Sequence, residues 1–206
     1  MARRTKEDAD ATRRALLDAA EQVFYDKGVA RASLAEIALA AGTTRGAIYW
    51  HFKDKVDLFN AMVDRISLPL DAVRSADSLA DLGDRLMRVR SMVQQLLAMI
   101  VNDARTRRVF EIAMYRVEYV SELSALRERH QAALIRFRGQ LAQNLELAAR
   151  QTAVVLPMPL ADAALGLQAL FDGLLQAWIL GGAGFDLCAI GAGAVDVYLR
   201  GLGFAV

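Results

Sequence analysis

Disulfide chemistry, proline-rich linkers and catalytic signatures are all but missing from this chain. Of its 206 residues one is cysteine, three are proline and two are histidine. A single thiol, Cys188, closes off an internal disulfide framework and suits a reducing compartment, so the expected location is the cytoplasm. Residues 1–10 are charged where a secretory signal would be apolar, and no run of 18 residues is free of charge, so no membrane partner is expected. There is no Gly-x-Ser-x-Gly elbow, no His-Glu-x-x-His and no phosphate-binding loop, which leaves no enzyme class to favour and no cofactor or metal to expect. Alternating β-branched runs are scarce while 55% of the residues are hydrophobic, a balance that predicts an all-α protein.

The net charge of +1 on its own argues against a general polyanion binder. Residues 1–55 carry ten Lys/Arg against eight Asp/Glu and the remainder fifteen against sixteen, a weak asymmetry. Its one pointed feature is the arm of Arg3, Arg4 and Lys6, a pattern suited to phosphates or a minor groove.

About nine helices are expected. The first runs from Thr12, a plausible N-cap, to Lys27, with Gly28 as its stop. A second opens on Ser33-Leu34-Ala35-Glu36, a capping box, and ends by Gly42. A third spans Thr44 to His51 and a fourth Lys53 to about Val73. Longer amphipathic helices follow: Leu79–Ile100, a segment from Asp103 to Arg116, and one of roughly thirty residues with its apolar stripe from Leu123 to Ala148. Leu156-Pro157-Met158-Pro159 breaks the pattern before two last helices, Leu160–Leu180 and Leu187–Leu202. The organisation predicted is a three-helix helix-turn-helix head over residues 1–55 and a larger helical ligand-binding and dimerisation domain over 56–206.

Residues 33–52 have the grammar of a helix-turn-helix: a capped helix, a short turn holding Gly42, and a second short helix. Ile48 and Phe52, four apart, form an inward stripe, and Arg45 and Tyr49 a neighbouring outward one. Arg45 in the first turn can bracket guanine O6 and N7, and Gly46 lets backbone approach base edges. Ser33, Thr43, Thr44, Tyr49, His51 and Lys55 are donors of the kinds that fix register on phosphates. On these residues alone a purely structural hairpin stays open, with Tyr49 and Trp50 as packing aromatics.

From Thr12 to Lys55 the chain closely resembles the N-terminal domain of TetR-family transcriptional regulators. The likeness lies in Ala19-Ala20-x2-Val23-Phe24-x3-Gly28, in Ser33-Leu34-x2-Ile37-Ala38-x3-Gly42 and in Ile48-Tyr49-Trp50-His51-Phe52-x2-Lys55. That resemblance implies base contacts at Arg45 and Gly46 and phosphate contacts at Thr44, Tyr49, His51 and Lys55. The stretch TRGAIYWHF, residues 103–108 and Phe171-Asp172-Gly173-Leu174 are similar to the subgroup that represses multidrug efflux pumps. A palindromic double-stranded DNA operator and a hydrophobic small-molecule effector are then the implied partners. A TetR-type regulator of a catabolic or metabolic operon and a helical protein-interaction module remain the alternatives.

Between Asp162 and Asp186 the only charge is Asp172, in a helix crowded with apolar residues. Gln168, Asp172 and Gln176, four apart, make its single polar stripe, which fits either a strip of surface or the few polar groups of an apolar ligand cavity. Further cavity walls are expected from Met92, Val93, Leu96, Phe110, Met114, Leu134, Phe137 and Leu141, since methionines and aromatics accept varied shapes. Helices 160–180 and 187–202, with Ala161, Ala164, Gly191, Ala192 and Ala194 permitting close approach, are expected to pair with their copies in a homodimer.

Overall fold

The computed structural model describes residues 6–76, 85–118 and 123–206, with the side chains of 67–76 left aside. Nine helices are present among the described residues: α1 Lys6–Lys27, α2 Leu34–Ala40, α3 Arg45–His51, α4 Lys55–Ala76, α5 Arg85–Asn102, α6 Ala104–Tyr115, α7 Ser124–Thr152, α8 Leu160–Leu180 and α9 Leu187–Gly201. The all-α architecture expected from composition is the one observed. Arg3, Arg4 and the expected beginning of the fifth helix at Leu79 lie outside the described residues.

The start of α1 corrects the sequence reading. Thr12 is no N-cap: its hydroxyl donates to the Asp8 carbonyl at 2.8 Å inside a helix already under way at Lys6. Glu7 and Asp8 in the first turn and Lys27 in the last both suit the helix dipole, an electrostatic signal that reaches further upstream than the cap motif. Its stop is as expected. Gly28, at φ +82°, takes the left-handed conformation that ends the helix, and its amide donates to the Phe24 carbonyl at 2.9 Å.

Two compact units are present. The first comprises residues 1–69 and 105–130, the second 70–104 and 131–206. The first unit is therefore larger than a head cut at residue 55, because α6 and the start of α7 pack into it. Its core gathers Leu16, Phe24, Ile37, Ile48, Phe52, Leu58 and Met62 with Val109, Ile112, Leu123 and Leu126. Burying each large side chain stabilises the fold by about 1.5–3 kcal/mol. Within this core sits one carboxylate, Glu21, 3% exposed. Arg65 Nη1 lies 3.0 Å and Arg105 Nε 3.3 Å from it, and both guanidinium groups also reach Asp18, at 2.7 and 2.8 Å. The spacing of Asp18 and Glu21 on α1 thus collects one arginine from α4 and one from α6.

In the second unit α5 packs on α9 and α9 on α8. Close approach is set by glycines: a Leu97 methyl occupies the place a Cβ on Gly191 would take, and the Tyr198 hydroxyl stands where one on Gly166 would be. That hydroxyl donates to the Ala163 carbonyl at 2.8 Å. Arg90 and Asp196 form an ion pair, Nη2 donating to Oδ2 at 2.8 Å while Nε lies 2.7 Å from Oδ1. By length and composition α8 could cross a membrane. Its Ala163, Ala164, Leu167, Phe171, Leu175 and Trp178 are instead buried within the protein.

Candidate nucleic-acid interface

Three short-range devices fix α2 and α3. Ser33 caps α2: its Oγ accepts from the Glu36 amide at 3.2 Å, while the Ser33 amide donates back to Glu36 Oε2 at 3.0 Å. Between the helices Gly42 turns left-handed at φ +66°, and the Thr43 amide donates to the Ala38 carbonyl at 2.9 Å. Thr44 then caps α3, its Oγ1 accepting from the Ala47 amide at 3.2 Å. Below, Ile48 and Phe52 are buried on Phe24 and Ile37 in one cluster.

With Ile48 and Phe52 inward, the 100° step of a helix leaves an outward arc running from Arg45 through Tyr49 and Gly46 to Trp50. All four are exposed. The Arg45 guanidinium stacks over the Tyr49 ring at 5.7 Å from its centroid, which holds a cation at the rim of the arc. At Gly46 the nearest atom to a would-be Cβ is Thr44 Oγ1 at 3.8 Å, so no crowding within the chain requires glycine there. What glycine leaves is a gap in the outward face one turn before Trp50.

Neither Tyr49 nor Trp50, the two aromatics open to a packing role in the sequence, is buried, and Trp50 is the more exposed. At 72% exposure it is part of no core. The signal was available in its i, i+4 relation to Gly46, which puts it on the outward arc. Its indole meets the His51 ring edge-on at 4.6 Å between centroids, and His51 in turn lies 6.2 Å from the Phe52 ring.

Several predicted contact residues are engaged in holding the head together. Ser33 and Thr44 are caps, as above. Lys55 donates from Nζ to the carbonyl oxygens of Ala30 at 2.7 Å and Ala32 at 3.0 Å, which occupies two of its three donors. Glu36, besides the cap, accepts from Lys27 Nζ at 2.6 Å. The Lys27 bond first and the Ser33 bonds next pull its carboxyl down to about 2.

The predicted effector residues fall in both compact units. Phe110 packs on the core of the first unit, and Met114 is half-buried in that unit. In the second, Val93, Leu96, Phe137 and Leu141 are buried while Met92 and Leu134 are half-buried. The Phe137 ring meets Phe171, a residue outside the predicted set, at 5.5 Å and 57°. The polar stripe on α8 turns as it climbs: Gln168 is buried, Asp172 half-buried and Gln176 exposed. Residues at every fourth position drift by about 40° per step, so the stripe turns from the buried Gln168 to the exposed Gln176. Gln168 Nε2 reaches Asp172 Oδ2 at 3.5 Å, and its Oε1 is buried with no hydrogen-bond donor among the described residues.

The close-approach residues on the last two helices divide similarly. Ala164 and Gly191 are buried inside the chain, Gly191 against Leu97. The outward stripe is made by Leu165, Leu180, Ile190 and Val197, each between 47% and 68% exposed.

Comparison with known proteins bears on both halves. Residues 16–62 match the family described as bacterial regulatory proteins, tetR family, and residues 84–204 the C-terminal region of MAATS-type transcriptional repressors. The chain is 38% identical over 180 residues to the HTH-type transcriptional regulator TtgR of Pseudomonas putida, covering 87% of this chain and 86% of that one. Its fold superposes on NalD, the secondary repressor of the MexAB-OprM multidrug efflux pump in Pseudomonas aeruginosa, with a TM-score of 0.82 and 34% identity over 95% and 97% of the two chains. The complex of SmeT from Stenotrophomonas maltophilia with triclosan gives a TM-score of 0.77 at 31% identity, covering 92% and 90%.

Proposed function

The chain belongs to the TetR family of bacterial regulatory proteins, and from that premise we propose that it represses a multidrug efflux operon by occupying a palindromic operator until a hydrophobic small molecule releases it. The observation that carries the DNA-reading half is the outward arc of α3, where Arg45, Tyr49 and Trp50 stand exposed around Gly46 on a helix fixed from below by Ile48 and Phe52. Arg45 reads a guanine edge, and Tyr49, Trp50, Thr43 and His51 flank it on sugar and phosphate. Ser33, Thr44 and Lys55 act one step back, by holding α2, α3 and the turn ahead of α2 in place.

Efflux control follows the relatives, of which NalD is named as a repressor of such a pump. An apolar effector is supported by the SmeT complex with triclosan and by Gln168, a buried amide near Phe171 and Asp172 whose oxygen has no donor among the described residues. A guest bearing one donor among apolar atoms satisfies it. Two copies associate through the stripe of Leu165, Leu180, Ile190 and Val197, which single chains would leave in water. A symmetric pair of heads then demands a symmetric operator.

The test is a footprint on DNA upstream of the chain's own gene, repeated with triclosan and other hydrophobic antimicrobials at fixed salt. A protected palindrome that disappears with at least one compound supports the proposal. Protection that no compound relieves removes the effector half, and no protection of any upstream palindrome removes the whole reading.

A further inference from the structure

The turn between α1 and α2 is gripped from a segment 88 residues further along the chain. The amide of Val29 donates to the carbonyl of Arg116 at 2.8 Å, and the amide of Ala30 donates to Glu118 Oε2 at 3.0 Å. Neither amide belongs to a helix, so without this segment both would need another acceptor. Gly28 opens the space for the carboxylate: a Cβ there would stand 2.6 Å from Glu118 Oε1. The Arg116 guanidinium lies over the Tyr25 ring of α1 at 5.4 Å, and Arg31 stands 3.9 Å from Glu118 Oε1. The Ala30 amide bond holds the Glu118 carboxyl below its usual range, ahead of the weaker pull of Arg31 and Lys55. All these groups lie in the first compact unit.

We propose that Glu118 is a positioning residue of the DNA-binding head, and that residues 116–118 are a second attachment, beside α4, through which the C-terminal region sets the geometry of the helix-turn-helix. The inference rests on the DNA-reading function proposed above. Glu118 belongs by sequence to the span matched to the C-terminal repressor region, and follows the last residue of α6 by three positions. On the other side its grip falls three residues before the N-cap of α2. A shift at the C-terminal end of α6 is therefore delivered to the turn that aims α2 and α3, and base readout tolerates errors of only about 0.5 Å in its supports.

The experiment compares the full-length protein with Glu118→Ala and Glu118→Gln. Operator affinity is read across a salt series, alongside amide exchange at Val29 and Ala30 and the melting temperature. Glu118→Ala should bind about tenfold more weakly, as expected for losing one charge-assisted acceptor. Its salt slope should match the parent, since no phosphate contact is lost. Glu118→Gln should recover most of the affinity, because its side-chain carbonyl still accepts from Ala30. Exchange at Ala30 should quicken in Glu118→Ala with little change in melting temperature.

Parent-like affinity for Glu118→Ala overturns the proposal, and so does an altered salt slope or a Gln variant no better than the Ala variant. If the parent binds no operator, the DNA reading fails by itself. Exchange at Ala30, measured without DNA, still decides whether Glu118 holds the turn.

Discussion

Lys55 Nζ donates to the carbonyl oxygen of Ala30 at 2.7 Å, so the first turn of α4 is tied to the turn that precedes α2. The same ammonium reaches Ala32 at 3.0 Å. Lys55→Met keeps the apolar stem and removes the donors, leaving two carbonyls to find water. It should lower stability by about 1–2 kcal/mol and weaken operator binding through a loosened head. The slope of log affinity against log salt should stay within about 0.5 of the parent, whereas a lost phosphate contact would change it by about 0.9.

The capping box of α2 should leave a signature in acid. Bonds from Lys27 and Ser33 hold Glu36 down to about 2, against an ordinary value of 4.5. An acid held below its unfolded value contributes stability above that value, and loses it as pH falls through the folded one. Stability should therefore decline between about pH 4.5 and about pH 2 on this account, and Glu36→Gln should flatten that limb in urea melts taken as a function of pH. Ser33→Ala should cost about 1 kcal/mol.

Glu21 should behave in the opposite sense. Burial pushes its carboxyl up, against the pull of Arg105 and Arg65, so its contribution to stability grows as pH falls through its folded value. Glu21→Gln, which gives up a desolvated charge while Asp18 still pairs both arginines, should change stability at neutral pH by no more than about 1 kcal/mol. Arg65→Met, which leaves the buried carboxylate with Arg105 alone, should cost about 2–3 kcal/mol. Equal losses in the two variants would contradict the network as described.

How far the sequence spoke depended on the range of the signal. Motifs a few residues long were legible: Ser33 and Glu36 as a capping box, Gly28 and Gly42 as turns, α8 to its end residues. A first turn rich in Glu7 and Asp8 was passed over for Thr12, because a cap motif looks the same inside a helix as at its start. Contacts across long separations were not legible. Nothing local shows that Lys55 serves two carbonyls instead of solvent, that Glu118 meets Ala30, or that Leu97 fills the place beside Gly191. The 3.6-residue period shows on α8, where a stripe taken at every fourth residue runs from buried Gln168 to exposed Gln176.

The seam between α8 and α9 offers a coupled pair. Gly166→Ala would drive a methyl into the Tyr198 hydroxyl, and should cost about 1–3 kcal/mol. Tyr198→Phe removes the bond to Ala163 and should cost about 1 kcal/mol. In the double variant the methyl meets no hydroxyl, so the combined loss should fall short of the sum by at least about 0.5 kcal/mol. Strict additivity would mean that the hydroxyl is not what fills the space at Gly166.

The most direct measurement of the central claim is the affinity of the parent and of Arg45→Ala for the footprinted operator, for single-base variants of it, and for a scrambled duplex at the same salt. If the outward arc of α3 reads the operator, Arg45→Ala loses about 1–3 kcal/mol on the operator, becomes indifferent to substitution at one base pair in each half-site, and binds the scrambled duplex nearly as the parent does. An Arg45→Ala protein that keeps the parent's ranking of operator variants would show that sequence is read elsewhere.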